Sequence, residues 1–349
     1  MKLLIFTQII DLNDDVLGFM HGWIAEFARN CESVTAVCLK MGEHNLPPNV
    51  KVLSLGKERG KSRLKYVFNF YKYLWQERKN YDKVFVHMNY EYVVMGGIFW
   101  RILRKKIGLW YAHGKVPFQL RLAEKLTHVI FSSTKSGCRL VSPKINVIGQ
   151  GIDTEKLLIT DYEWRLNNRN KIISIGRISP SKDYETLIKA VEILKNQGIK
   201  LKAEIIGGPA MESDKEYLSL LEQEIKEKKL GEEIKFIGPV ANKDILKYLL
   251  SAGIFANMGL TGSLDKAMAE AMATELPVLT CNEAMLEVLG GYKEALMYPK
   301  RDFEKLAEKI ELIINLPFEE YRELGRGLRS IVIEKHSLKN FINKIMAKI

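Results

Sequence analysis

The sequence has few cysteines and no long apolar run. Its 349 residues include four cysteines, and their spacing fits no CxxC metal or redox motif. We therefore expect reduced, buried thiols in a cytoplasmic protein. No apolar run reaches the ~18–20 residues of a membrane-spanning helix. The opening run, Lys2–Thr7, is predicted to be a buried strand rather than a signal peptide, because acidic residues follow it closely.

Acidic residues are scarce in the first half of the chain. Residues 1–150 contain 23 Lys and Arg against 11 Asp and Glu, and residues 51–150 contain 20 against 5. Residues 151–349 contain 30 against 31, so the net charge of +11 arises in the first half. This asymmetry favours an anionic partner there: a membrane surface, a phosphate-bearing substrate or nucleic acid. A merely solubilising surface is the alternative.

Apolar runs of strand length alternate with segments of helical period, which predicts βα units and parallel sheets. The predicted strands of the first half are Lys2–Thr7, Val34–Leu39, Val50–Leu53, Lys83–His87, Gly108–Tyr111, His128–Ser132 and Ile145–Ile148. The predicted helices of the first half are Val16–Asn30, Lys61–Lys79, Glu91–Leu103 and Gln119–Lys125.

The pattern restarts after a break near Gly149, where GQGIDTEKL is a plausible hinge and the polar stretch Asp161–Asn170 follows. Asp183 is predicted to cap a helix that Gly198 ends. The other predicted strands and helices are Lys171–Ile175, Ala203–Gly207, Lys215–Lys228, Ile234–Gly238, Asn242–Leu250, Ile254–Asn257, Asp265–Thr274, Pro277–Thr280 and Ala295–Tyr298, with two or three amphipathic helices up to Ile349. We expect domains at 1–150 and 151–349, with the last helix packing back on the first domain.

The first chemical motif is IGRISPSKDYETL, which follows a predicted strand. Gly176 permits close backbone approach, and Arg177 and Lys182 precede a helix N-terminus, where anionic groups bind. Both cations can form charge-assisted hydrogen bonds to phosphate. An ordinary βα loop with two exposed cations is the alternative.

The second motif is TGSLDKAMAEAMATELPVLT. The backbone N–H groups of its loop could hold a phosphate, and Glu270, one turn into the helix, could accept hydrogen bonds from a ribose. The loop residues are Gly262, Ser263, Leu264, Asp265 and Lys266. An amphipathic helix with a solvated Glu270 is the alternative.

The two motifs, with VIGQGIDTEKL and WYAHGK, resemble the retaining glycosyltransferases of family 4 in sequence order. The resemblance implies a GT-B fold: two Rossmann-like domains with parallel sheets facing across an interdomain cleft. It implies that Arg177 and Lys182 hold the donor diphosphate and that Glu270, the second glutamate of the E-x7-E motif, binds ribose. The first glutamate would stand at Gly262. GSLDK resembles a subgroup that lacks it, and we expect the loop, with Asp265 and Lys266, to replace its contact with the sugar.

Two residues of the first half are candidates by the same resemblance. Gly18 corresponds to a glycine loop that faces the donor phosphates, although the usual glycine pair is absent. His113 corresponds to a histidine that hydrogen-bonds donor or acceptor, with a satisfied core histidine as the alternative. His87 is expected to be structural.

The expected protein is a retaining hexosyl- or related transferase that needs no metal and no cofactor. It would transfer sugar from a nucleotide sugar to a glycan or lipid-linked acceptor, at the inner face of an anionic membrane contacted by 57–65 and 101–106. A sugar-nucleotide epimerase or a phosphorylase of the same fold is one alternative. The other is a nucleic-acid binder, because aromatic residues interleave with basic ones in 65–78. The helical spacing there favours a packed helix instead, so no nucleic acid is expected.

Overall fold

The computed structural model describes residues 1–60, 62–158 and 162–349. The predicted helix Lys61–Lys79 begins at Lys61, and the predicted polar stretch Asp161–Asn170 begins at Asp161. Both of these first residues lie outside the described residues. Two units form. The first comprises Met1–Asp153, Ala241–Lys243 and His336–Ile349, and the second comprises Thr154–Val240 and Asp244–Lys335.

The first unit is built on a parallel sheet whose strand order is β3-β2-β1-β4-β5-β6-β7. Its strands are β1 (Lys2–Ile10), β2 (Ser33–Met41), β3 (Val50–Ser54), β4 (Lys83–His87), β5 (Lys106–Trp110), β6 (Val129–Ser132) and β7 (Ile145–Val147). The apolar runs of the inner strands are largely buried between helices on both faces, as is typical of parallel sheets, whereas the edge strands β3 and β7 are partly exposed.

Helices cover both faces of this sheet. They are α1 (Met20–Arg29), α2 (Arg63–Glu77), α3 (Tyr90–Ile102), α4 (Phe118–Leu126) and the C-terminal helix α13 (Leu338–Lys348). One buried cluster joins α1 and α13 to the sheet, and another joins α2, α3 and α4 to it.

The second unit is also built on a sheet, whose strand order is β10-β9-β8-β11-β12, and neighbouring strands in it pair in parallel. Its strands are β8 (Lys171–Ile175), β9 (Lys202–Ile206), β10 (Ile234–Gly238), β11 (Ile254–Asn257) and β12 (Val278–Thr280). Its helices are α5 (Tyr162–Asn167), α6 (Tyr184–Asn196), α7 (Glu212–Glu227), α8 (Ile245–Leu250), α9 (Lys266–Ala273), α10 (Lys293–Leu296), α11 (Phe303–Asn315) and α12 (Phe318–His336).

One expectation needs correction. The predicted strand Ala295–Tyr298 is wrong, because Lys293–Leu296 form α10 and Met297 makes only an isolated bridge to Thr280. Within the predicted polar stretch, residues 162–167 form α5. The guanidinium of Arg165 on this helix is buried and donates to the carbonyl oxygen of Leu249 at 3.1 Å. The helix predicted for 61–79 forms as α2, which buries Phe70 and Leu74 in the core. The same helix exposes the aromatic side chains of Phe68, Tyr71 and Trp75.

Candidate functional site

The two motifs of the second half follow neighbouring strands. β8 pairs with β11 in the centre of the sheet, where the strand order reverses direction. The loops that leave their carboxyl ends therefore lie at the point where open α/β sheets bind ligands. The backbone N–H of Leu260 donates to the carbonyl oxygen of Ser181 at 3.0 Å, which ties the two loops together.

One carboxylate joins the motifs directly. Lys182 Nζ donates to Asp265 Oδ2 across 83 residues of sequence, and Asn257 Nδ2 donates to the same oxygen at 3.1 Å. The side chains of Lys182 and Asp265 are 18% and 19% exposed, so water screens this ion pair only in part. The cation expected to meet a phosphate therefore already has an anionic partner within the protein.

Asn257, the last residue of β11, is a site residue that sequence reasoning missed. It is 3% exposed, and its Oδ1 accepts from the backbone N–H of Gly259 at 3.2 Å and from Thr280 Oγ1 at 3.4 Å. Its carbonyl accepts from Tyr298 Oη at 3.3 Å. These bonds leave Nδ2 aimed at Asp265. A polar residue ending an apolar strand was the available sequence signal.

Two glycines shape the end of β8. A Cβ on Gly176 would lie 3.1 Å from Cε of Lys182, so the group that approaches this glycine is the lysine side chain. Tyr184 Oη donates to the carbonyl of Gly176 at 3.2 Å, and burial raises the pKa of this phenol. Gly207, with φ +138°, faces the same carbonyl, and a Cβ there would overlap it.

Asp183 begins α6, as predicted, but it does so without a capping bond from its side chain. Its φ is +50°, and its Oδ2 accepts from Thr186 Oγ1 at 2.8 Å. Burial raises the pKa of its carboxyl group. Asp is among the few residue types that adopt this left-handed conformation readily, because its short polar side chain can hydrogen-bond locally.

The loop GSLDK begins with a glycine in the left-handed region of backbone conformation. Gly262 has φ +70°, a conformation that side-chain-bearing residues adopt at a cost. Further along, Leu264 is 4% exposed and the carbonyl of Ser263 accepts from Asn282 Nδ2 at 2.7 Å. A glutamate in place of Gly262 would hold this left-handed conformation only at a cost in energy.

Glu270 is largely buried, which argues against the alternative of an amphipathic helix with a solvated Glu270. It lies one turn into α9, its side chain is 12% exposed, and its Oε1 is 3.9 Å from Lys266 Nζ. Arg177 differs from Lys182 and Lys266: it is exposed and has no ion pair with any described residue. The structure thus brings Gly176, Lys182 and Asp265 into one cluster and leaves Arg177 available beside it.

The two candidates of the first unit also lie near carboxyl ends of strands. His113 is in the loop after β5 and is exposed, so it is not a core histidine. Its Nδ1 accepts from the backbone N–H of Lys115 at 3.0 Å, and partial desolvation of the ring, with the charge of Lys115, lowers its pKa. Gly18 is buried before α1, where a Cβ would lie 2.6 Å from the carbonyl oxygen of Asp14.

His87, the last residue of β4, is buried in the first unit. Its Nδ1 is 3.4 Å from Thr7 Oγ1, and its ring packs edge-on against Phe19 and Trp23. These contacts suit the structural role expected for it.

The cysteines supply no nucleophile. All four are free thiols, and burial raises the pKa of Cys31 and Cys281 to about 11 and that of Cys38 to about 12. At neutral pH these thiols are protonated and weakly reactive. Among the described residues, no group of three or more His, Cys, Asp and Glu could hold a metal ion, and no helix has the length and apolar character to cross a bilayer.

One protein-family model matches much of the second unit. Residues 162–330 match the family model described as Glycosyl transferases group 1. The matched region contains every candidate of the second unit, from Gly176 to Glu270. It does not contain His113 or Gly18.

Two of the curated relatives with similar sequences are named for bacterial polysaccharide biosynthesis. The capsular polysaccharide biosynthesis glycosyltransferase CapM of Staphylococcus aureus is 27% identical over 62% of this chain and 57% of its own length. The amylovoran biosynthesis glycosyltransferase AmsK of Erwinia amylovora is 29% identical over 47% of this chain and 40% of its own length. The chain thus spans about half the length of the relatives it matches.

Solved structures share the whole fold at low identity. HepE of Anabaena, in complex with UDP, superposes with a TM-score of 0.78 at 17% identity over 99% of both chains. The sucrose-phosphate synthase of Thermosynechococcus elongatus superposes with a TM-score of 0.75 at 15% identity, over 99% of this chain and 98% of its own. Together with the two parallel sheets, these likenesses confirm the GT-B fold.

Proposed function

We propose that the chain is a glycosyltransferase that moves a sugar from a nucleoside diphosphate sugar, held by the second unit, to a glycan or lipid-linked acceptor. The observation that carries the proposal is the junction of Lys182, Asp265 and the GSLDK loop at the switch point of the second sheet. The family match over this region and the fold of HepE, solved with UDP-glucose, support it.

The leaving group would be a nucleoside diphosphate, whose departure places negative charge on phosphate oxygens. Arg177, Lys182 and the amides of the loop would stabilise that charge as preorganised donors. Lys182 would exchange its carboxylate partner for phosphate, which frees Asp265 to accept hydrogen bonds from sugar hydroxyls. Glu270 would bind ribose. Retention of anomeric configuration and independence of metal are proposed from the family resemblance, since the cations can supply the charge.

The first unit is proposed to be the acceptor side, with His113 at the carboxyl-end edge of its sheet, and Gly18 is proposed to face the donor phosphates. Its charge of 20 basic against 5 acidic residues over 51–150 suits a phosphate-bearing, lipid-linked acceptor at the inner face of a membrane. A hexose is the proposed transferred sugar.

Ligand-induced stabilisation tests the donor site. In a thermal-shift screen of nucleotide sugars, a ligand at 100 times its Kd adds about 2.7 kcal/mol to the free energy of unfolding. Arg177→Ala and Glu270→Gln should remove the shift. Lys226→Ala, which removes an exposed cation on α7, should keep it. The proposal fails if no nucleotide sugar stabilises the protein, or if Lys226→Ala and Arg177→Ala behave alike.

Product analysis separates the remaining alternatives. Incubation with the donor alone should leave the sugar nucleotide unchanged, apart from slow hydrolysis, whereas an epimerase would convert it to a stereoisomer. With an acceptor lipid extract, NMR of the product should show the anomeric configuration of the donor, and EDTA should not alter the rate. Inversion or loss of activity in EDTA would contradict those parts of the proposal.

A further inference from the structure

The helix α2 carries two apolar stripes, and only one of them faces the sheet. Phe70 and Leu74 are 0% and 1% exposed within the core of the first unit. Leu64, Phe68 and Trp75 are 84%, 69% and 60% exposed on a second stripe, about 120° around the helix from the first. Their spacing of four and seven residues places them on one stripe of the helix. A surface helix of a monomeric protein ordinarily presents polar residues there.

The neighbouring helices extend this apolar stripe. Ile98 and Ile102 on α3 are 64% and 74% exposed, and Phe118 at the start of α4 is 76% exposed. The helices touch side by side: Tyr71 Oη donates to the carbonyl of Met95 at 3.2 Å, and Arg101 Nε donates to that of Leu126 at 3.0 Å. All three helices bury their other side against the same cluster.

We name the exposed side the outer helical face, defined by Leu64, Phe68, Trp75, Ile98, Ile102 and Phe118. Large exposed apolar patches of this kind mark interaction sites.

The outer helical face is bordered by cations. Exposed basic residues on or next to the three helices are Arg63, Lys65, Lys72, Arg101, Arg104, Arg121 and Lys125. Three acidic residues of this region are bound elsewhere: Glu77 to Lys51 at 2.6 Å, Glu58 to Ser54 at 2.7 Å and Glu124 to Ser142 at 2.8 Å. Glu91 on α3 is exposed, and the basic residues outnumber it. The face therefore combines bulky apolar groups with positive charge.

That combination selects an anionic bilayer over a nucleic acid. Bases stack on open aromatic rings, but the guanidinium of Arg78 lies 4.1 Å from the ring centroid of Trp75 and covers one side of it. Leu64, Ile98 and Ile102 cannot stack on bases at all, whereas they can enter the acyl region of a membrane. Stable attachment to a membrane takes two signals, and apolar insertion beside a basic patch supplies both.

We propose that the outer helical face docks on an anionic lipid bilayer, with Leu64, Phe68, Trp75, Ile98, Ile102 and Phe118 inserted among the lipids and the bordering cations at the headgroups. This goes beyond glycosyl transfer, because it requires neither donor nor acceptor. Its failure in a vesicle assay would leave the donor-site tests unaffected.

Vesicle flotation without donor tests the docking. The protein should float with phosphatidylcholine–phosphatidylglycerol vesicles and remain unbound with pure phosphatidylcholine. A triple variant combines Leu64→Ser, Phe68→Ser and Ile102→Ser. It should lower the partition coefficient into the vesicles by about tenfold or more, because less apolar side-chain surface is transferred from water into the bilayer. The matched control combines Val141→Ser, Leu220→Ser and Leu312→Ser, which alter exposed apolar residues elsewhere and should leave binding unchanged.

A depth probe separates insertion from adsorption. Brominated phosphatidylcholine in the anionic vesicles should quench the fluorescence of Trp75, and Trp75→Phe should bind yet lose that quenching. Thermal melting checks that the variants fold, and the single variants Ile102→Ser and Phe118→Ser repeat the test on separate helices.

Four results would overturn the proposal. The first is no flotation of the wild type at low salt, and the second is equal vesicle binding by the wild type and the triple variant. The third is that single-stranded RNA displaces the wild type from vesicles and that the triple variant no longer binds this RNA. The fourth is that the wild type is a dimer in solution and the triple variant is a monomer.

Discussion

At the scale of single residues, Arg177 and Lys182 use their charges differently. Lys182 shares Asp265 with Asn257, whereas Arg177 is exposed and has no ion pair with a described residue. An exposed cation adds little to folding, but removing one member of a partly buried pair leaves the other without compensation. Replacing Arg177 should therefore affect sugar transfer alone, whereas replacing Lys182 should affect both sugar transfer and the free energy of unfolding.

We expect Arg177→Ala to lower sugar transfer by about 10²–10³ and to leave the free energy of unfolding within about 0.5 kcal/mol of wild type. Lys182→Met should lower transfer comparably and also cost about 1–3 kcal/mol of stability, since Asp265 loses its cation. Adding Asp265→Asn to Lys182→Met should restore stability without restoring transfer. Urea unfolding and an initial-rate assay measure both quantities. Equal stability of the two single variants would refute the difference.

His113 should titrate below its ordinary pKa of 6.5, because partial desolvation of the ring and the charge of Lys115 disfavour the imidazolium. The unfolded chain then binds more protons than the folded one between the two pKa values. The stabilising contribution is present above pH 6.5 and is lost as the pH falls through the folded pKa.

NMR titration of the ring protons should place the midpoint of His113 below 6.5, and Lys115→Ala should move it upward. Lys125→Ala, which removes an exposed cation on α4, serves as the control and should not move it. A midpoint above 6.5 in the wild type would show that the environment favours the charged form instead.

At the scale of elements, the loops after β8 and β9 are fitted to each other through glycine. Gly207 has φ +138°, and its Cα faces the carbonyl of Gly176 so closely that no Cβ fits. Its neighbour Gly208 would place a Cβ in ordinary contact with Pro239, at 3.5 Å.

Gly207→Ala should therefore lower the free energy of unfolding by about 2 kcal/mol or more, through strain and displacement of the Gly176 turn. Gly208→Ala, the matched control, should change it by less than about 0.5 kcal/mol. Thermal unfolding of both variants gives the comparison. Similar melting of the two variants would mean that the loops yield to a side chain at little cost.

Whether a segment forms a helix or a strand was largely predictable from the spacing of its apolar residues. The strands Lys83–His87, Lys171–Ile175, Ile234–Gly238 and Ile254–Asn257 match their predicted bounds, because short apolar runs between turn residues form buried strands. The run Ala295–Tyr298 was too short for period to separate strand from helix. In α2, apolar residues lie on two stripes, and period does not tell which one meets the sheet.

At the scale of the whole molecule, the C-terminal helix completes the first unit. Phe341 on α13 is fully buried, with ring centroids 4.3 Å from Trp23 and 4.9 Å from Trp110. Ile345 and Ile349 enter the same cluster. The core around Trp23 is thus formed by residues more than 300 positions apart in the sequence.

Phe341→Ala should cost about 3–5 kcal/mol in the free energy of unfolding, as large core truncations do. Near-ultraviolet circular dichroism should lose the tryptophan signal of the first unit at a lower temperature. Lys339→Ala, which changes an exposed residue of the same helix, is the control. An unaltered melting temperature for Phe341→Ala would show that α13 does not support this core.

The order and spacing of apolar runs by themselves determined the alternation of strands and helices, the two parallel sheets and the loops that carry Arg177, Lys182 and Asp265. These follow from local period and from glycine and charge at strand ends. Only the tertiary structure decided that β8 lies beside β11, that Lys182 meets Asp265 and Asn257, and that Phe68 and Trp75 face outward. The first two depend on the order of the strands in the sheet, and the third depends on which stripe of α2 packs against the sheet. Contacts between residues distant in sequence determine strand order and helix packing alike.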